Sequence, residues 1–148
     1  MQSVAQELVA IVERVTPLLE NLAVDPRLAT RAVPTKWCRQ EILGHLIDSA
    51  GNNQQKFVRL MQDFTVAFPG YRQDDWVRVQ GWQAADWENM VGLWAAYNRH
   101  LAYLIATVSP ECLNHAIRIE GAEPVTLAFV MSDYVEHLKH HLRQIFPV

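Results

Sequence analysis

Only two cysteines occur in the 148 residues, Cys38 and Cys112, and they stand far apart. That excludes a disulfide framework and a zinc ribbon. No apolar run approaches the roughly 18 residues needed to span a membrane. The N-terminal stretch MQSVAQELVAIVERV carries acids within its apolar pattern, so no signal peptide is expected and the protein is expected in the cytoplasm. Basic charge is not in surplus: 13 Lys and Arg face 16 Asp and Glu, for a formal net charge of −3. Nucleic acid normally demands a basic footprint, so neither it nor a membrane is an expected partner. Internal repeats and low-complexity tracts are missing. Nothing alternates convincingly with period two, which leaves no substantial sheet to expect.

What the chain does have is apolar content, 50% of its residues, and helical period. At this size one domain over residues 1–148 can bury a proper core. In the first periodic segment Val4, Leu8, Ile11, Val12, Val15, Leu18, Leu19 and Leu22 form a stripe that Asp25-Pro26 and Pro34 bring to an end. A second helix runs from about Cys38 to Met61, with Leu43, Leu46, Ile47, Ala50, Phe57, Val58 and Met61 on one face. A third starts at Asp86, a suitable N-cap, and stops before Pro110. A fourth follows Thr126, a second N-cap, and carries Leu127, Val130, Met131, Tyr134, Leu138, Leu142 and Ile145. Four such helices predict an all-α four-helix bundle. The connection between the second and third is long, from about residue 62 to 85, and rich in aromatics: Phe64, Phe68, Tyr71, Trp76 and Trp82. It is expected to fold back over the bundle with a short helix near residues 74–79, as a core extension or as a substrate-facing lid.

The chemistry-bearing residues are histidines. His137 and His141 are four apart in YVEHLKHHLRQI, which turns both to one side of the helix, about 40° apart at 100° per residue. Two imidazoles so placed can share a metal ion if a third ligand arrives from elsewhere. Spacing leaves open the alternative of two partly buried imidazoles bonded to polar neighbours. The best third ligand is His45, yet it lies across the helix from Leu43 and Leu46, together with Cys38, Glu41, Ser49 and Asn52. That position suits a ligand in a solvent-reachable cleft, with the leucine face packed elsewhere, or a plain surface histidine. His100 and His140 point away from their apolar stripes and are expected to be exposed, while His115 falls in a connector.

Two blocks carry a resemblance. Trp37, Glu41, Leu43, His45 and Leu46 make W-x3-E-x-L-x-H-L, and PVTLAFVMSDYVEHLKHHLRQI ends in the H-x3-H pair. With GYRQDDWVRVQGW and LWAAYNRHL between them, the chain resembles the DinB-like superfamily, including its YfiT-type metal-dependent hydrolases. The resemblance implies a four-helix bundle, commonly a homodimer. It also implies a divalent metal on His45, His137 and His141: zinc or nickel first, iron or manganese next. It implies a small-molecule substrate, handled by hydrolysis or by transfer with a low-molecular-weight thiol. A non-catalytic dimeric module that binds a ligand or partner, with metal structural or lacking, is the other expectation. The family's damage-inducible name suggests DNA, against which the acidic balance speaks.

Two departures stand out. Relatives often place Ser where Cys38 stands, at the N-terminus of the second helix. Cys38 is thus a candidate reactive thiol or a small packed residue. Some relatives carry a further histidine where this chain has Ala50, Gly51, Asn52 and Asn53. Three neutral imidazoles would leave an open position at which water or a thiol could be activated. The nearest carboxylates are Asp48 and Asp133, candidates for a general base. Asp133 could instead orient His137 or pair with a surface cation. Ile42, Leu60, Leu93 and Leu104 lie outside the main stripes and suggest a dimer face.

Overall fold

Four long helices build the protein: α1 (Gln2–Asn21), α2 (Arg39–Gln62), α4 (Trp87–Thr107) and α5 (Leu127–Ile145), with a short α3 (Gln73–Gln80) between α2 and α4. The structure, a computed structural model, describes residues 1–147. Both N-caps fall where the sequence places them. Asp86 accepts from the Asn89 amide at 2.9 Å and Thr126 Oγ1 from the Phe129 amide at 3.2 Å. None of the described helices is long and apolar enough to cross a membrane.

The bundle's order explains the long connection. α1 and α2 each pack against α4 and α5, so α1 and α2 sit on a diagonal. Gln2 reaches the Ala106 carbonyl and Trp87 the Leu19 carbonyl, which makes α1 and α4 antiparallel. Tyr97 bonds Gln54 and Ala85 bonds Gln40, which makes α2 and α4 parallel neighbours. Parallel neighbours need a return path. α2 has 24 residues and is about 36 Å long at 1.5 Å per residue, so a hairpin cannot join it to α4. The return carries β1 (Thr65–Phe68), α3 and a single 3-10 turn at Trp82–Ala84. The short helix expected near 74–79 is therefore present.

A small sheet departs from the all-helical expectation. β1 pairs in parallel with β2 (Ala116–Ile119), Thr65 opposite Ala116, and β2 pairs antiparallel with β3 (Val125–Thr126). Val66, Phe68 and Ile117 turn into the core. The alternation in TVAF and AIRI is genuine, but four residues are too few to stand out against the helical pattern.

The stripes of α1, α4 and α5 meet as expected, with Leu8, Leu19, Trp94, Leu101, Leu127 and Leu138 fully buried. Leu18 and Val58 are exposed instead of buried. Ile42 and Leu60, taken as candidates for a dimer face, lie in the core of the single chain, whereas Leu93 is exposed. α2 is the informative element: every residue from Gln40 to Ala50 is buried, the polar ones included. α4, α5 and the 3-10 turn together close around this half of the helix. What reads in sequence as a solvent face is an interior polar face, and each polar residue on it has work to do.

Candidate metal centre

α2 and α5 bring together the three histidines that the sequence singles out. His45 is completely buried on α2, while His137 and His141 are half-buried on α5, one turn apart. One ring nitrogen from each lies within 4.8 Å of the other two. His45 Nε2 faces His137 Nε2 at 3.3 Å. Ring centroids are 4.6 Å apart for His45 and His141 and 4.5 Å for His137 and His141. Two nitrogens bound tetrahedrally at about 2.05 Å from one ion would be about 3.3 Å apart, so one edge of the triad already has the length a zinc-type site requires.

The surroundings orient each ring. Trp37, just ahead of α2, packs on His45 at 4.8 Å between centroids. Gln144, in the last turn of α5, offers its Oε1 to His141 Nδ1 at 3.1 Å, and its amide nitrogen lies 3.0 Å from His140. The Ser49 hydroxyl lies 3.5 Å from His137 Nδ1 and accepts from the Asn53 amide at 3.3 Å. His45 Nδ1 is buried and has no hydrogen-bond partner. Burial, then the neighbouring imidazoles, push the His45 pKa down to about 3; burial pushes that of His137 down to about 4 and lowers that of His141. All three rings are therefore neutral at neutral pH, the state in which imidazole binds a metal.

A cleft of about 530 Å³ opens beside His141, walled by Val33, Lys36, Trp37, Ile42, Asp74 and Gln144. One wall, the loop before α2, is pinned by Arg31, whose Nε donates to the buried Glu41 carboxylate at 2.8 Å and whose guanidinium holds its pKa down. The other wall comes from α3. Three α2 residues one turn apart anchor the chain around it: Gln40 donates to the Trp82 carbonyl, Gly44 receives the Trp82 ring, and Asp48 accepts from Trp82 Nε1 at 3.0 Å and Gln80 at 2.7 Å. The long connection is thus both a docked core extension and part of the cleft.

The family model of the DinB superfamily matches residues 7–145, almost the whole chain. The chain belongs to the DinB superfamily. Among solved structures it is similar to YfiT from Bacillus subtilis, described as a probable metal-dependent hydrolase with an unusual four-helix bundle topology. The TM-score is 0.81 at 22% identity over 96% of this chain and 83% of that one. No curated protein matches it.

Within this DinB-superfamily fold, several sequence expectations need correction. His45 is not at a solvent-reachable surface, because the leucine face of α2 and its opposite face are both covered. Asp48, a candidate base, has both oxygens engaged by Gln80 and Trp82, and burial raises its pKa. Asp133, the other candidate, is exposed near Lys56, and Ser49 rather than Asp133 stands beside His137 Nδ1. Cys38 is buried, and desolvation pushes its thiol up instead of the helix N-terminus pulling it down; it is a packed residue. The Glu41 carboxylate accepts from the Cys38 amide at 3.0 Å and closes the cap from the other side. His100 and His140 are exposed, as expected, and His115 Nδ1 bonds the Leu60 carbonyl near the end of α2. Ser49, Asn53 and Gln144 were missed. Their signal was present: Ser49 and Asn53 follow His45 at steps of four on one line of α2.

The lowered imidazole pKa values predict acid sensitivity of the metal-free protein. Unfolded histidine takes up its proton as pH falls through about 6.5, whereas the folded rings of His45 and His137 wait until about 4 and below. Above pH 6.5 both states are neutral and stability is unaffected. Between about 6.5 and 4 the unfolded state gains protons, and stability falls by up to about 1.4 kcal/mol per pH unit and group. Urea midpoints in the presence of a chelator should drop steadily over that interval. A midpoint that stays level from pH 7.5 to 4.5 contradicts the burial of these rings.

Proposed function

We propose that the protein is a divalent-metal-dependent enzyme acting on a small molecule in the cleft beside His45, His137 and His141. The reaction is hydrolysis or transfer with a low-molecular-weight thiol. The carrying observation is the convergence of three neutral imidazoles from two helices, one nitrogen pair already 3.3 Å apart, with His141 of that triad in the wall of the cleft. The description of YfiT as a probable metal-dependent hydrolase supports the same reading. Held by these three rings, zinc or nickel, then iron or manganese, would supply Lewis acidity and lower the pKa of a water or thiol.

The chain's own residues do the rest. Trp37 packs on the buried His45 at the inner side of the site, and His141 is the ring that faces the cleft from which a substrate would approach. Lys36 and Asp74 place opposite charges along the cleft and can orient a polar substrate, while Val33, Ile42 and Trp37 give it apolar wall. Among the described residues the potential ligand group consists of the three histidines. A volume of about 530 Å³ leaves room for a thiol and its acceptor together.

Protein made without a histidine tag and loaded with zinc or nickel should hold close to one ion per chain by mass spectrometry. It should turn over substrates in an ester and amide screen or in a thiol-transfer screen, lose that activity to a chelator, and regain it on reloading. Wild-type protein that stays metal-free under replete conditions would overturn the proposal. Metal bound with both screens silent would point to the ligand-binding module instead.

A further inference from the structure

Beside the triad stand a buried serine and a half-buried asparagine of α2, facing α5, that neither the capping of helices nor the docking of the connection requires. Asn53 donates to the Ser49 carbonyl at 2.9 Å and to Ser49 Oγ at 3.3 Å, and that Oγ lies 3.5 Å from His137 Nδ1. Elsewhere in the helices the hydroxyls of Thr16, Thr107 and Ser132 donate to the carbonyl four residues back, the usual outlet for a helical hydroxyl. Ser49 Oγ instead has His137 and Asn53 as its partners.

The tautomers follow from which atoms have partners. A neutral imidazole carries one proton. On His45 a proton at Nδ1 would be a buried donor without an acceptor, so it sits on Nε2. His45 Nε2 faces His137 Nε2 at 3.3 Å and donates to it, which leaves His137 Nε2 bare and its proton on Nδ1, toward Ser49. An ion on His137 Nε2 demands that same Nδ1–H form. Gln144 does for His141 what Ser49 does for His137. His45 is held by the Trp37 ring instead.

We propose that Ser49, itself held by Asn53, is a positioning residue for His137: it accepts the Nδ1 proton and keeps Nε2 bare and aimed into the triad. The consequence for metal rests on the function proposed above; the tautomer does not. Two readouts keep them apart. In metal-free protein, nitrogen-15 imidazole spectra should show His137 as the single Nδ1–H tautomer. Ser49→Ala should return it to a mixture, with exposed His140 unchanged. In zinc titrations against a chromogenic chelator, Ser49→Ala should weaken binding about 10–100-fold, the range for loss of a group behind a ligand. Ser49→Thr, which keeps the hydroxyl, should stay within a few-fold of wild type, and circular dichroism should show both variants folded. An unchanged His137 tautomer in Ser49→Ala would mean that His45 alone sets the ring, and it overturns the positioning role of Ser49 even if no metal binds. Equal weakening by Ala and Thr overturns it if metal does.

Discussion

Replacing His45 with leucine is expected to abolish metal binding while leaving the metal-free protein at least as stable as wild type. The ring is fully buried, and its Nδ1 has no hydrogen-bond partner. A buried polar atom without a partner costs about 1–3 kcal/mol, and leucine removes it at similar volume. The metal-free variant should therefore gain roughly 1 kcal/mol in a urea melt with chelator. The triad meanwhile drops to two rings on one helix. Affinity should fall by more than the roughly 10–100-fold that loss of a supporting group costs. Exchanging exposed His140 for alanine should change neither the stoichiometry nor the melt by a comparable amount. Stoichiometric metal retained by His45→Leu would remove α2 from the site. Stability and function pull apart at this residue, as they often do where a buried polar group serves a ligand.

Gly44→Ala should cost the fold roughly 3 kcal/mol. In the middle of a helix this exchange ordinarily stabilises by about 1 kcal/mol, so its sign here is decided by space. A Cβ at Gly44 would stand 2.2 Å from Trp82 Cγ and 2.6 Å from Trp82 Cβ. These atoms are the root of the side chain and cannot swing aside. The indole is tied to Asp48 and the Trp82 carbonyl to Gln40. The turn at Trp82–Ala84 has to lift from α2, carrying α3 and its cleft residue Asp74 with it. Overpacking of this kind costs about 1–3 kcal/mol or more. Gly92→Ala supplies the control, since nothing lies within 4 Å of its added Cβ, and that variant should gain up to about 1 kcal/mol. Denaturant midpoints of the two variants should move in opposite directions. A Gly44→Ala protein as stable as wild type would mean that the connection is not seated on α2. Metal stoichiometry should survive in Gly44→Ala, because the substitution touches none of the three histidines.

Much of this molecule was legible before any coordinates. The stripes of α1, α4 and α5, the caps at Asp86 and Thr126, and the helix inside the long connection follow from local rules of period and capping, which act within one or two turns of the chain. The His137–His141 pair is equally local, because four residues along a helix set two side chains on one face. α2 was where such rules failed. A hydrophobic pattern tells which face meets the first neighbour, and Glu41, His45 and Ser49 read as the opposite side. Their burial is decided by the connection and α5, which close over that side from far along the chain. The same holds for the strands, whose four-residue alternation gains meaning only when β1 finds β2 some fifty positions later.

By itself, then, the order of residues determined four helices, their inward faces and a pair of imidazoles one turn apart, since these depend on contacts between near neighbours in the chain. Tertiary structure alone decided that α2 and α4 run parallel, that the connection must travel back along the bundle, and that the first half of α2, Gln40 to Ala50, is enclosed on every side. That enclosure carries His45 into the interior against His137 and His141 and engages Asp48 with Trp82 and Gln80. It also sets Ser49 beside the ring of His137. Burial and distance between remote segments are properties of the packed chain, and they are what turn three scattered histidines into one site.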